Sequence, residues 1–267
     1  MRTARTERAW LMLAIAFTLG FATNIFFGYS RGIYLKPMTE ELGGSRLGLS
    51  VAFTAVSVVS ALSAPLVGRL LDRVPIRRIL LVAALWTALG FFAMAMMGTT
   101  LQLCVAMALS LGLANAPLGG AGPSKLVVSW FTRRRGVALS LTAMGASVAG
   151  VAAPPLVAPL VETAGWRDTF RLFGTAALCV LVPLILLVRD PPDLSSAWRG
   201  SGAKGAADAD DRVWSRGEYL RTRAFWGLLL IFGATLLALD PPRLFDRGDT
   251  GRELIQPGNA PKPDGLE

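Results

Sequence analysis

No histidine occurs in this 267-residue chain, and only two cysteines do. The first absence removes the imidazole that a Ser-His-Asp triad, a His-ligated zinc and most neutral-pH acid–base sites require. The second removes any disulfide framework. Cys104 and Cys179 each fall inside an apolar run, which predicts buried thiols that are neither paired nor metal-bound. Charge is scarce too, since Asp, Glu, Lys and Arg make up 17% of the residues, against about 25% in soluble domains. No carboxylate pair stands at membrane depth, so hydrolytic and metal chemistry have no residues to run on and an intramembrane enzyme is the least supported reading. No cofactor is expected.

Two stretches imitate reactive motifs and fail on spacing. "GGAGPSK" at 119–125 brings glycines near a lysine but lacks the phosphate-loop interval and ends an apolar run instead of following a strand. "GASVAG" at 145–150 is one residue too long for a nucleophile elbow, and small-residue helix packing explains it better.

What the chain has in abundance is apolar length. Hydrophobic residues make up 53% of it, the mean hydropathy is +0.50, and runs approaching twenty residues recur, about the number needed to cross a hydrocarbon core of about 30 Å. These predict membrane spans at 10–29, 47–67, 79–97, 101–118, 137–160 and 170–188, with a short seventh at 224–239. Their high Gly, Ala and Ser content predicts close helix contacts. Pro117, Pro123, Pro154, Pro155, Pro159 and Pro183 predict kinks near cavities.

Basic residues then orient the spans. Arg2, Arg5 and Arg8, then Arg69, Arg73, Arg77 and Arg78, then Lys125 and Arg133 to Arg135, then six more between Arg199 and Arg223 all fall on one side. The alternate loops are sparse or balanced, as Glu162 is by Arg167 and Asp168. The expectation is a multi-pass protein of the plasma (inner) membrane with its amino terminus in the cytoplasm. The net charge of +9 is spread over these loops, so anionic headgroups of the bilayer, not nucleic acid, are the expected partner.

"GRLLDRVPIRR" at 68–78 carries five charges between spans two and three. On composition alone it is an orienting cytoplasmic turn. The order of Gly68, Leu70, Asp72, Arg73, Arg77 and Arg78 resembles the loop signature of the major facilitator superfamily, with Pro75 where that signature has its second glycine. "GGSRLGLSVAF" at 43–53, "WFTRRRGVALSLTAMGASVAG" at 130–150, "AGWRDTFRLFG" at 164–174 and "RTRAFWGLLLIFG" at 221–233 resemble its monocarboxylate and oxalate/formate branch.

The resemblance implies an all-α, polytopic membrane helix bundle, the six-span amino-terminal half of a major facilitator fold plus a partial seventh span. The expected organisation is a bundle at 1–189, a cytoplasmic linker at 190–223, the partial span at 224–239 and a disordered tail at 240–267. It implies secondary active transport of small organic anions such as monocarboxylates, with the proton as candidate coupling ion. It also implies a latch in which Asp72 and Arg73 bridge the two halves. The missing carboxy-terminal half, or a second copy, would supply the other wall. The alternative is a non-transporting remnant or accessory bundle of a disrupted transporter gene.

Polar residues at membrane depth need a cavity or a partner. The substrate candidates are Asn24, Tyr29, Arg31, Tyr34 and Asn115. If the first helix runs past Tyr29, Asn24 and Arg31 lie two turns apart on one face, with Tyr34 following Arg31 at i+3. Arg31 either pairs with a carboxylate or snorkels to the outer interface.

Overall fold

The computed structural model describes residues 2–43, 46–131 and 134–189, together with Thr222 and residues 226–227 and 230–231. The chain divides into two compact units, Met1–Gly205 and Ala206–Glu267, and the elements below belong to the first. The expected linker, seventh span and tail lie almost wholly outside the described residues.

Where residues are described, the architecture is helical throughout. α1 (Arg2–Thr23) passes through a π-helical turn at Asn24–Tyr29 into α2 (Arg31–Leu42). α3 (Arg46–Arg73) and α4 (Ile76–Met96) follow, then α5 (Thr100–Gly119) and α6 (Ala121–Trp130). α7 (Arg135–Ala176) leads through a second π-helical turn (Ala177–Leu181) into α8 (Val182–Leu186). With no water to satisfy a bare peptide in hydrocarbon, a chain this apolar closes its backbone bonds inside helices.

Among the described residues, five helical stretches are long and apolar enough to cross a membrane. The fifth, Arg135–Leu186, has 52 residues, about 78 Å of helix, more than twice the hydrocarbon thickness. Gly165 resolves this: at φ 79°, ψ 166° it leaves the helical region, a conformation that costs glycine little. The chain reverses there, because Ala138 and Val188 share one core cluster while Val157 and Phe173 share the other. The separate fifth and sixth spans expected from sequence are the two legs.

The fourth span is longer than its apolar run suggests. Lys125, placed by sequence in a loop, stands inside α6, which continues α5 after a break at Gly120. Pro117 lies three residues before that break, and Pro183 follows the second π-helical turn, so both sit where the regular ladder is already interrupted.

Packing follows the small residues. α3 and α4 lie against α5, while α7 packs against α1 and α4. A methyl at Gly145 would stand 2.5 Å from the Phe17 carbonyl oxygen, so the first leg of α7 meets the α1 backbone directly. Cys104 is only half-buried and Cys179 is exposed, which corrects the expectation of two buried thiols: an apolar helix in lipid turns one of its faces outward.

One end of the bundle is held by a charge clamp. Arg167, two residues past the turn, donates Nε to Glu41 Oε1 at 2.7 Å and Nη1 to the carbonyls of Ala95 and Met97 at 2.9 and 2.8 Å. The Trp166 indole donates to the other Glu41 oxygen, and the Arg167 guanidinium lies 4.4 Å from its ring centroid. The ends of α2 and α4 and the turn in α7 are thereby joined. Arg167 is thus paired with Glu41, 126 positions away, and Asp168 with Arg171 at 2.6 Å. At the opposite end Trp10 packs edge-on against Phe131, and Trp130 donates to the Arg189 carbonyl.

Gly145→Ala is expected to lower stability in detergent by about 1–3 kcal/mol. Gly136→Ala, where the added methyl meets open space, is expected to leave it unchanged or slightly raised; thermal unfolding followed by circular dichroism separates the two. Arg167→Ala removes the donor to the Ala95 and Met97 carbonyls and leaves Glu41 to the Trp166 indole and solvent, and a loss of about 1–3 kcal/mol is expected in the same assay.

Candidate functional site

The first span does continue past Tyr29, through the π-helical turn. An i→i+5 turn holds more residues than an α-turn, so Asn24 and Arg31 are not two α-turns apart on one face, and the conditional alignment read from sequence does not hold. The Ser30 hydroxyl donates to the Ile25 carbonyl at 2.6 Å, adding a side-chain bond across the wide turn.

Arg31 and Tyr34 do come together. They line a cavity of about 10 Å³ with Phe26, Phe53, Phe91 and Phe170, room for about one water molecule. The Arg31 guanidinium lies 5.7 Å from the Phe53 ring centroid, a cation–π contact between the first and second spans. Tyr34 is 3% exposed, and its hydroxyl has no hydrogen-bond partner among the described residues. Its ring packs against Phe170 and Phe173 at 5.0 and 6.5 Å. A cation beside an unsatisfied buried hydroxyl, walled by aromatic rings, is equipped to hold a small anion by charge and a directed hydrogen bond.

The other candidates lie apart from this pair. Asn115 donates its amide to the Ser60 hydroxyl at 3.1 Å, linking α5 to α3. Asn24 donates to the Gly20 carbonyl of its own helix at 2.8 Å. Tyr29, half exposed, covers Gly150, where an added methyl would stand 3.1 Å from the phenol ring.

At the opposite end, the turn between α3 and α4 is two residues long, Val74 and Pro75. Pro75 sits at φ −51°, ψ 132° as the cap of α4, so an extended backbone with negative φ makes this turn. Asp72 pairs with Lys125 at 2.7 Å, and the same ammonium donates to the Leu71 carbonyl at 2.6 Å. Within this chain Asp72 is therefore tied to the continuation of the fourth span. Arg73, Arg77 and Arg78 are exposed around it. No atom lies within 4 Å of a methyl built at Gly68, so that face of α3 is open.

Sequence reasoning missed Lys125 as a partner of Asp72, Phe53 beneath Arg31, Ser60 beside Asn115, and the Glu41, Trp166 and Arg167 clamp. Only Lys125 carried a local signal, as a lone cation in an otherwise uncharged stretch. The others join positions tens of residues apart.

Comparison with known proteins agrees with this architecture. Residues 12–240 match the Major Facilitator Superfamily. The chain is 33% identical over 61% of its length to a riboflavin transporter of Trypanosoma cruzi, covering 33% of that protein. It is 26% identical over 76% of its length to the oxalate:formate antiporter of Oxalobacter formigenes, covering 47% of it, and 27% identical over 83% to a hexuronate transporter of Escherichia coli, covering 52%. The chain thus spans a third to about half of the length of the curated relatives it matches, and those with named substrates are transporters. With its helical bundle, apolar crossings and family match taken together, the chain is a multi-pass membrane protein belonging to the Major Facilitator Superfamily.

Proposed function

We propose that this chain forms the amino-terminal half of a secondary active transporter for small organic anions, with Arg31 as the anion-holding cation and Tyr34 as its hydrogen-bonding neighbour. The observation that carries the reading is the pairing of a guanidinium with an unpartnered, buried hydroxyl in one aromatic-walled cavity. The oxalate:formate antiporter among the relatives supports a carboxylate as substrate, and the hexuronate transporter, whose named substrate is also an acid, agrees. A cavity of about 10 Å³ admits no carboxylate as it stands, so binding requires the surrounding spans to separate, as alternating access provides. Asn24, Tyr29 and Asn115 serve here as helix-contact residues around that movement. The second wall comes from a carboxy-terminal six-span half or from a second copy.

Gathering of the basic side chains at the Asp72 end supports a cytoplasmic placement for that end, and hence for the amino terminus, in the plasma membrane. Asp72 is largely exposed, so its bond to Lys125 contributes at most about 1 kcal/mol to folding. Its role is conformational: Lys125 holds the aspartate in place while the two halves meet over the open face at Gly68.

Radiolabelled formate and oxalate uptake into proteoliposomes tests the substrate assignment, with oligomeric state recorded alongside. Saturable uptake is expected, falling roughly 10- to 100-fold in Arg31→Ala as a charge-assisted hydrogen bond is lost. Carboxylate uptake that survives this change overturns the role of Arg31. For the latch, Asp72→Asn is expected to cut uptake severalfold with little change in thermal stability, and Lys125→Ala to do the same; normal transport by both would reduce the loop to an orienting turn.

A further inference from the structure

Near the basic end, α3 and α4 diverge over the last turns of α3 and the first turns of α4, and α5 floors the gap between them. The result is a groove of about 370 Å³, within the size range of small-molecule sites. Leu66, Leu70, Val82, Trp86 and Leu113 line it, each more than a third exposed. Arg78 is the only charged residue on its wall. That guanidinium is exposed, and no carboxylate pairs with it among the described residues.

The shape matches one leaflet of a bilayer. From Arg78 to Trp86 the groove follows nine residues of α4, about 12 Å of rise, against a half-thickness of about 15 Å for the hydrocarbon core. Charge lies at the headgroup end, and beyond it the surface is apolar apart from Ser63, whose hydroxyl is bonded to the Ser60 carbonyl. Neither property suits a protein helix, which would cover Arg78 and leave a guanidinium without a counter-charge. Gly68 and Asp72, the positions on α3 proposed to meet a second half, do not line the groove.

We propose that this groove binds an anionic phospholipid, with one acyl chain lying along Val82 and Leu113 towards Trp86 and the phosphate held by Arg78. A guanidinium offers a phosphate two parallel N–H donors, and basic pockets between membrane helices favour acidic headgroups. Arg69, Arg73 and Arg77 stand at the same end of the bundle and add to the preference for negative charge.

Native mass spectrometry of the purified full chain in detergent, titrated with phosphatidylglycerol or with phosphatidylcholine of the same acyl chains, tests this. Phosphatidylglycerol is expected to be retained at about fivefold lower concentration than phosphatidylcholine. Arg78→Ala should abolish that preference, and Arg135→Ala, which removes a cation of the same end outside the groove, should keep it. Leu113→Trp should weaken both lipids by filling the groove, with helicity unchanged by circular dichroism; Arg78→Gln repeats the charge test if the alanine variant misfolds. Equal binding of the two lipids, a preference that survives loss of Arg78, or an equal loss in Arg135→Ala overturns the site. So does a dimer that excludes lipid and dissociates in Leu113→Trp, since a helix of a second copy would then be the occupant.

Discussion

Lipid tails are as apolar as leucine, so two helices in a bilayer gain little from hiding leucines against each other. What remains is close van der Waals contact, and it is available only where side chains are small enough for backbones to meet. Gly145 lets the first leg of α7 reach the Phe17 carbonyl, and Gly112 lies so close to Val59 and the Val56 carbonyl that an added methyl would stand about 3 Å from both. The remaining features depend on these approaches. The cavity at Arg31 exists because α3, α5 and α7 are held around the first span, and the groove at Arg78 because α3 lies on α5 and leaves α4 partly uncovered.

Three groups of charged residues differ in their balance of solvation. At one end, Arg167 satisfies a carboxylate and two carbonyls left at the α4 terminus, where no further helical bonds are available. At the other, Asp72 and Lys125 meet in largely exposed surroundings, where an ion pair adds little stability and is easily exchanged for another partner. Between them, Arg31 stands over Phe53, with part of its charge met by the ring. A firm clamp at one end, an exchangeable pair at the other and a cation in between agree with the proposed transport role, in which one half moves as a rigid body against another.

The legibility of these features tracks their range in the chain. The crossings could be read because hydrocarbon thickness imposes a length on apolar runs, and α4 begins and ends within three residues of its apolar run. The loop at Gly68–Arg78 could be read because its residues are neighbours in sequence. The first span was harder: a π-helical turn leaves no mark in residue pattern, yet it changes the angle at which every later side chain leaves the helix. Lys125 was misplaced for a related reason, since α6 resumes after Gly120 with a polar residue in its second turn and reads as the end of a span.

By itself the sequence determined the class of solvent this protein folds in, the helical passage of the first six apolar runs, the gathering of cations at one end and the family to which the chain belongs. These follow from composition and from spacing within about twenty residues, where bilayer thickness and the need to satisfy backbone groups leave few alternatives. Tertiary structure alone decided that Arg31 shares a cavity with Tyr34, that Asp72 meets Lys125, and that Arg167 reaches Glu41 across 126 positions. Such pairings depend on which helix faces which and at what rotation, quantities set by close backbone contact between distant segments, on which local residue pattern is silent.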